Sequence, residues 1–341
     1  MEKTFSVSSS PHTRDKDSIQ SIMWWVNIAL LIPLGFSIYY FGMMAFWLTL
    51  LAVLSAVGTE ALIQKIAGKP MRVTDGSAVI TGMLLAYNIP STAPWWLPVI
   101  GSAFAIFIVK EIFGGLGYNI LNPALAGRAF LLASWPVEMT ASWAAPHGGT
   151  ISGITSKIEA LTSATPLNLA KQSANILANA DAFDPQMVEN ARLAIQHLNT
   201  NYIGLLWGNI GGCIGETSVI AILLGAVILL FKKIITWHIP VIYIGTVALL
   251  TFILGQNPIF HILSGGLMLG AFFMATDMVT SPVTKTGQII FAVGIGILTV
   301  VIRLWGGYPE GVSYSILLMN LVVPLINRYT KPRIFGEVKN G

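Results

Sequence analysis

Two groups of residues in this chain have side chains suited to chemistry. The first is the run Leu161-Thr162-Ser163-Ala164-Thr165-Pro166-Leu167. Thr165 stands where a helix N-cap belongs. Its hydroxyl can accept from a first-turn N–H, and Pro166 suits the first helical position, which needs no donor. The same hydroxyl can carry a phosphoester. A phosphate there would sit at a helix start, where free N–H groups and the helix dipole favour anions. Ser163 and Ala164 are small and leave room for a bulky substituent. The capping and ester readings are compatible.

The second group is ionisable and lies at or within apolar runs: Lys110, Glu111, Arg128, Glu216, Asp277 and Arg303. Charge in hydrocarbon costs several kcal/mol unless it is paired or hydrated, so function is the default expectation. Lys110 and Arg303 lie at the ends of their runs, where a long side chain can snorkel to the interface, and that reading is preferred for both. Glu111 and Asp277 suit binding an incoming cation or holding a partner, and Glu216 opens a run. Asn122 and Arg128 can hydrogen-bond a buried ligand, or simply cap and pair.

Other chemistry-bearing types are sparse. His12, His147, His197, His238 and His261 show no metal-ligand spacing. Cys213 is the one cysteine, so this chain alone makes no disulfide and holds no iron–sulfur cluster. Among Gly211, Gly212 and Gly215 it reads as a small packing residue, the alternative being a ligand shared with another chain. No hydrolytic triad, P-loop or dinucleotide fingerprint occurs.

The elements that position these residues follow from composition. Of 341 residues, 54% are hydrophobic and 10% charged, with mean hydropathy +0.72. Soluble domains carry about 25% charged residues, so water cannot solvate this surface. The net charge of +4 sits in short loops with no basic stripe, which excludes nucleic-acid binding. The pattern predicts an all-α polytopic membrane protein. About ten spans lie near 22–41, 43–63, 77–90, 95–113, 122–135, 218–231, 239–255, 260–279, 287–304 and 311–327. Those at 77–90 and 122–135 are short and bounded by Pro90, Pro123 and Pro136, as spans that line a site often are. Tryptophans near span ends, among them Trp24, Trp95, Trp143, Trp237 and Trp305, read as an interfacial belt.

Lys and Arg cluster in alternate loops, which places both termini in the cytoplasm. A weak repeat supports inversion. TGMLLAYNIP at 81–90 resembles 269–282, and IVKEIFGGLG at 108–117 resembles 300–309. With five spans per half, the halves must lie in opposite orientations. The expected organisation is a cytoplasmic segment 1–21, a first repeat 22–135, an outer region 136–217, a second repeat 218–328 and a cytoplasmic tail 329–341. Within the outer region, 166–179 and 185–198 read as short helices.

Several longer motifs carry a family resemblance. KEIFGGLGYNILNPALAGRAFLL at 110–132, TSATPL at 162–167, GETS at 215–218, FMATD at 273–277 and YPEG at 308–311 resemble the D subunits of Rnf ion-translocating oxidoreductases. They are also similar to the B subunit of the sodium-translocating NADH:quinone reductase. The likeness runs almost end to end. It implies FMN joined through phosphate to the last threonine of a D-x-x-[ST]-[GS]-A-T pattern. Here that pattern is Glu159 to Thr165, with Thr162 and Ser163 inside it and Glu where Asp is usual.

The resemblance further implies riboflavin or a second noncovalent flavin in the membrane part, to which Asn122 and Arg128 could bond. The implied partners are the bilayer, other membrane and peripheral subunits including a second FMN-bearing one and iron–sulfur subunits, and a flavin transferase. The implied function is electron passage between ferredoxin and NAD branches, coupled to Na+ or H+ transport in a prokaryotic inner membrane. The rival class is a passive solute channel or transporter, which an inverted five-helix repeat also suits but which has no use for the TSAT segment.

Overall fold

The computed structural model describes residues 18–140, 143–144, 146, 164–308 and 310–331. Thr162 and Ser163 lie outside the described residues, with residues 1–17 and 332–341. Among the described residues the regular elements are helical, apart from isolated bridge positions such as the antiparallel pair Pro90 and Cys213.

The first half holds α1 (Ile19–Phe41), α2 (Met43–Ile66), α3 (Ser77–Tyr87), α4 (Trp96–Phe104) and α5 (Pro123–Ser134). Helix α4 runs on as a π-helix over Ala105–Glu111. A short α6 (Pro136–Thr140) precedes a polar hairpin, α7 (Pro166–Ala178) and α8 (Pro185–Thr200), and then α9 (Tyr202–Trp207). The second half holds α10 (Val219–Phe231), α11 (His238–Ile253), α12 (Pro258–Leu263) and α13 (Leu267–Leu269), the last extended by a π-helix over Gly270–Met274. It closes with α14 (Lys285–Trp305) and α15 (Val312–Tyr329).

The helix starts follow local chemistry. Ser18, Asn122, Thr165, Asp184, Ser218, Asn257 and Thr284 each cap a helix by accepting from first-turn N–H groups. Four of these caps precede a proline at the first helical turn, where a missing donor costs nothing.

Helices α1, α2 and α14 are long and apolar enough to cross a bilayer, while α3, α10 and α11 are apolar but shorter. The protein is thus all-α with several candidate spans rather than ten uniform ones. The expected span at 260–279 is broken. Ser264 is extended, and Gly265 takes φ +66°, a conformation most residues avoid, so α12 stops there and α13 starts anew. Leu31, Trp47, Leu54 and Leu62 are exposed on α1 and α2, as lipid-facing side chains would be.

Helix α1 packs on α10, α2 on both α3 and α4, and α5 on both α3 and α15. In the second half α11 packs on α14, and α14 on α15. The α1–α10 contact needs a residue without a side chain: a Cβ on Gly225 would lie 2.7 Å from the Ala29 carbonyl oxygen.

The segment 211–218 turns into the bundle. All eight of its residues are buried. Ile214 N–H donates to the Ile89 carbonyl at 3.0 Å, and Gly215 N–H to that of Tyr87 at 3.1 Å. Backbone pairing of this kind satisfies polar groups that the bundle interior would otherwise leave bare. Cys213 is fully buried in that loop and forms no disulfide.

Candidate functional site: two cavities along one short helix

Thr165 caps α7, with Asn168 N–H donating to its Oγ1 at 3.3 Å and Leu169 N–H to its carbonyl at 2.9 Å. Leu167, two residues on, packs with Leu205 of α9 and Phe260 of α12, so the start of α7 is held against the bundle. Thr165 is 4% exposed and borders a cavity of about 300 Å³. Arg128, Trp143, Asn168, Tyr308 and Tyr314 contribute to its wall. The Tyr308 and Tyr314 rings are stacked, centroids 5.7 Å apart and 26° from parallel. Trp143 is 6% exposed and donates to the Thr140 carbonyl at 2.7 Å. It therefore belongs to the cavity, not to the interfacial belt.

Arg128 pairs with Glu310 and donates to the Ser313 hydroxyl, while its Nε has no partner. Glu216 lies just behind: Oε1 accepts from Cys213 N–H at 3.2 Å and Oε2 is unpartnered. The ligating atoms of Cys213, Glu216 and Glu310 lie within 4.8 Å of one another, a grouping that could take a cation. Thr165, Glu216 and Glu310 also share a small second recess. This end of the protein thus offers a hydroxyl at a helix start, aromatic walls and one buried guanidinium.

The second cavity, of about 90 Å³, lies at the other end of α5. Ser77 and Thr81 of α3, Lys110, Asn122, Phe273 and Asp277 help to line it. Both π-helices reach it, through Lys110 in the first and Phe272 and Phe273 in the second. Such bulges are frequent at functional sites. Asn122 caps α5 with its Oδ1, and its Nδ2 donates to the Met274 carbonyl at 3.4 Å. Asp277 is not deep in a helix, as the sequence suggests. It follows the second π-helix in a turn, half-buried, and accepts from Val279 N–H at 3.3 Å and the Thr280 hydroxyl at 3.0 Å.

Asn122 and Arg128 therefore serve different cavities. Six residues separate them, roughly 9 Å along the α5 axis. Asn122 and Asp277 share one space, Arg128 and Thr165 the other, and Glu216 lies beside the second.

Two expectations of snorkelling fail. Lys110 is 2% exposed, with its Nζ 2.9 Å from both carboxylate oxygens of Glu60 and 2.6 Å from the Ser77 hydroxyl. A buried ammonium is tolerable when it is paired and hydrogen-bonded, and Glu60 on α2 supplies that. Gln64 links Glu60 (3.0 Å) to Glu111 (3.4 Å), and Glu111 also meets Lys69 at 3.7 Å. Glu111 is thus tied into a charged cluster at one end of α2. Arg303 is likewise buried. It donates to the carbonyls of His261 at 2.6 Å and Ser264 at 3.0 Å, satisfying backbone that the break after α12 leaves free.

Sequence reasoning missed Glu60, Glu310, Tyr308 and Tyr314. Glu60 had a signal: a carboxylate within the apolar run 43–63, matched by an equally costly Lys110 elsewhere. Glu310 and Tyr308 stood in the YPEG motif, but only folding brings them 182 and 180 residues back along the chain to Arg128.

Residues 6–336 match a family model described as the NQR2, RnfD, RnfE family. The chain is 51% identical over 340 residues to the D subunit of the Na(+)-translocating ferredoxin:NAD(+) oxidoreductase complex of Acetobacterium woodii, covering 99% of this chain and 97% of that protein. It is 46% identical over 340 residues to the D subunit of the proton-translocating ferredoxin:NAD(+) oxidoreductase complex of Clostridium ljungdahlii, with coverage of 97% and 96%. It is 41% identical over 339 residues to the D subunit of the ion-translocating oxidoreductase complex of Stutzerimonas stutzeri, with coverage of 96% and 94%.

Proposed function

The chain belongs to the NQR2, RnfD, RnfE family, and from that premise we propose that it passes electrons through bound flavin within an ion-translocating ferredoxin:NAD oxidoreductase complex. Its similarity to three D subunits supports its place as the D subunit of such a complex. The observation that carries the flavin reading is the position of Thr165. It is an N-capping hydroxyl on a cavity walled by tyrosine and tryptophan rings and one arginine.

That environment fits FMN held as a phosphoester. The α7 start would hold the phosphate through its first-turn N–H groups. Tyr308, Tyr314 and Trp143 would flank a planar ring, and the cavity volume meets the lower end of the range for small-ligand sites, about 300–1,000 Å³. Arg128 would hold its charge beside the group while Glu310 keeps it neutralised. The flavin supplies reversible electron transfer, and these residues supply attachment, placement and exclusion of water. Covalent flavin survives denaturation, so the full-length protein made with a flavin transferase should stay yellow in SDS. A colourless wild type would favour the channel reading.

We keep Asn122, with Asp277 beside it, as the contact for a noncovalent flavin, which would have to widen a cavity of about 90 Å³ that lies below that range, and place Arg128 at the Thr165 cavity. Partner subunits, some bearing FMN or iron–sulfur centres, would receive and deliver the electrons.

For ion coupling we retain Glu111, Asp277 and Glu216. Asp277→Asn in the assembled complex should lower coupled turnover severalfold and keep covalent FMN. Unchanged cation dependence in both Asp277→Asn and Glu111→Gln would remove those two from the coupling path.

The halves we read as inverted repeats with both termini cytoplasmic and the α7–α8 hairpin outside. Corresponding helices pack on one another, α1 on α10 and α5 on α15, as elements on a shared axis would. The α2–α4 contact has a counterpart in α11–α14. In a Cys213→Ser background, a cysteine at Asn179 should label with an impermeant thiol reagent in intact cells, and one at Tyr118 should not. The reverse pattern would invert the assignment.

A further inference from the structure

A third cavity, larger than the two along α5, has no part in the flavin reading. It encloses about 650 Å³ between the α7–α8 hairpin, the turn after α11, and the end of α14. Three basic or imidazole side chains line it, Lys171, His261 and Arg303, and no aspartate or glutamate among the described residues does. Arg303 is 5% exposed and His261 7%. Arg303 spends both terminal nitrogens on backbone carbonyls, and no carboxylate pairs with it among the described residues. Its Nε and the Nδ1 of His261 are buried without any partner. Lys171 reaches across to the carbonyls of Gly306 and Tyr308.

No carboxylate lies within ion-pair distance of this buried guanidinium, Glu310 and Glu216 act on it only at longer range, and an anion in the cavity would supply a nearer countercharge. The walls add a second requirement. Leu254, Phe260, Leu304 and Trp305 make them apolar. Leu254 and Trp305 of the lining are exposed, as are Phe252 and Ile253, which precede Leu254 at the end of α11. A free anion has no use for that apolar track, whereas an acyl chain does. Trp305 sits where a span ends, the usual depth of lipid headgroups.

From this we infer a lipid site: the cavity takes the phosphate headgroup of an anionic phospholipid, from the leaflet on the hairpin side, with an acyl chain along Phe252, Ile253 and Trp305. The ligand's phosphate would accept from Arg303 and Lys171. The bound lipid would seat the hairpin that begins at Thr165 against α11 and α14. Neither the flavin nor the direction of the chain in the membrane enters this inference.

The test is native mass spectrometry of the full-length chain in its purified complex, delipidated in detergent and titrated with defined lipids. Phosphatidylglycerol should bind one to one, at least about tenfold tighter than phosphatidylcholine, since each factor of ten is a modest charge-assisted contact. Ala174→Trp fills the mouth from an exposed position on α7. It and Lys171→Gln should each weaken phosphatidylglycerol binding severalfold, and Arg303→Gln should abolish it. If Arg303→Gln does not fold, the other two variants decide. Equal binding of the two lipids, or wild-type affinity in both Ala174→Trp and Lys171→Gln, would overturn the site. So would inorganic phosphate binding alone and displacing the lipid, which would make it a free-anion pocket.

Discussion

Arg128→Met should lower the apparent melting midpoint of the purified protein by roughly 10 °C. The expectation rests on what the substitution leaves behind. Arg128 projects from α5 to Glu310 and to Ser313 of α15, so it ties the first half to the second. Removing one partner of a buried pair strands the other charge, typically at about 3–5 kcal/mol. Glu310 would be stranded beside Glu216, a second carboxylate whose Oε2 already lacks a partner. A buried and a partly buried carboxylate within reach of each other cannot both stay ionised comfortably. Replacing both partners is different: Arg128→Met with Glu310→Gln removes the charges together and should recover most of the midpoint. Tryptophan fluorescence in detergent reads both. A single variant that melts with the wild type would show that the pair contributes nothing to joining the halves.

Much of the local structure was readable in the chain. The expected helices at 166–179 and 185–198 stand at 166–178 and 185–200, because each begins with a capping side chain followed by proline. Those signals act within four residues, where sequence patterns are most informative. The two short apolar runs bounded by proline, α3 and α5, both contribute to cavity walls.

What was hidden depends on contacts between distant residues. Hydropathy marks Gly211 to Ser218 as loop, and nothing local says that the loop turns inward to pair with Tyr87 and Ile89. The same limit applies to the charges. Lys110 looks able to snorkel from the end of its run, and only the fold reveals Glu60 waiting 50 residues earlier. Asn122 and Arg128 share one helix and looked like one site. Their six-residue offset, from the cap to the middle of the helix, sends them to different cavities.

The flavin proposal is most directly tested at one oxygen atom. Thr165→Val keeps the shape of the side chain and removes the hydroxyl that would form the ester. It also removes the α7 cap, worth about 1 kcal/mol, which a bundle of this size should survive. Thr162→Val, three residues away, is the control for general damage to the segment. Each protein is made with a flavin transferase, denatured in SDS, and assayed by in-gel flavin fluorescence and intact mass. The expected result is fluorescence and an FMN mass increment in the wild type and in Thr162→Val, and neither in Thr165→Val. A Thr165→Val protein that still fluoresces and still carries the FMN mass would contradict the assignment of Thr165 as the point of attachment.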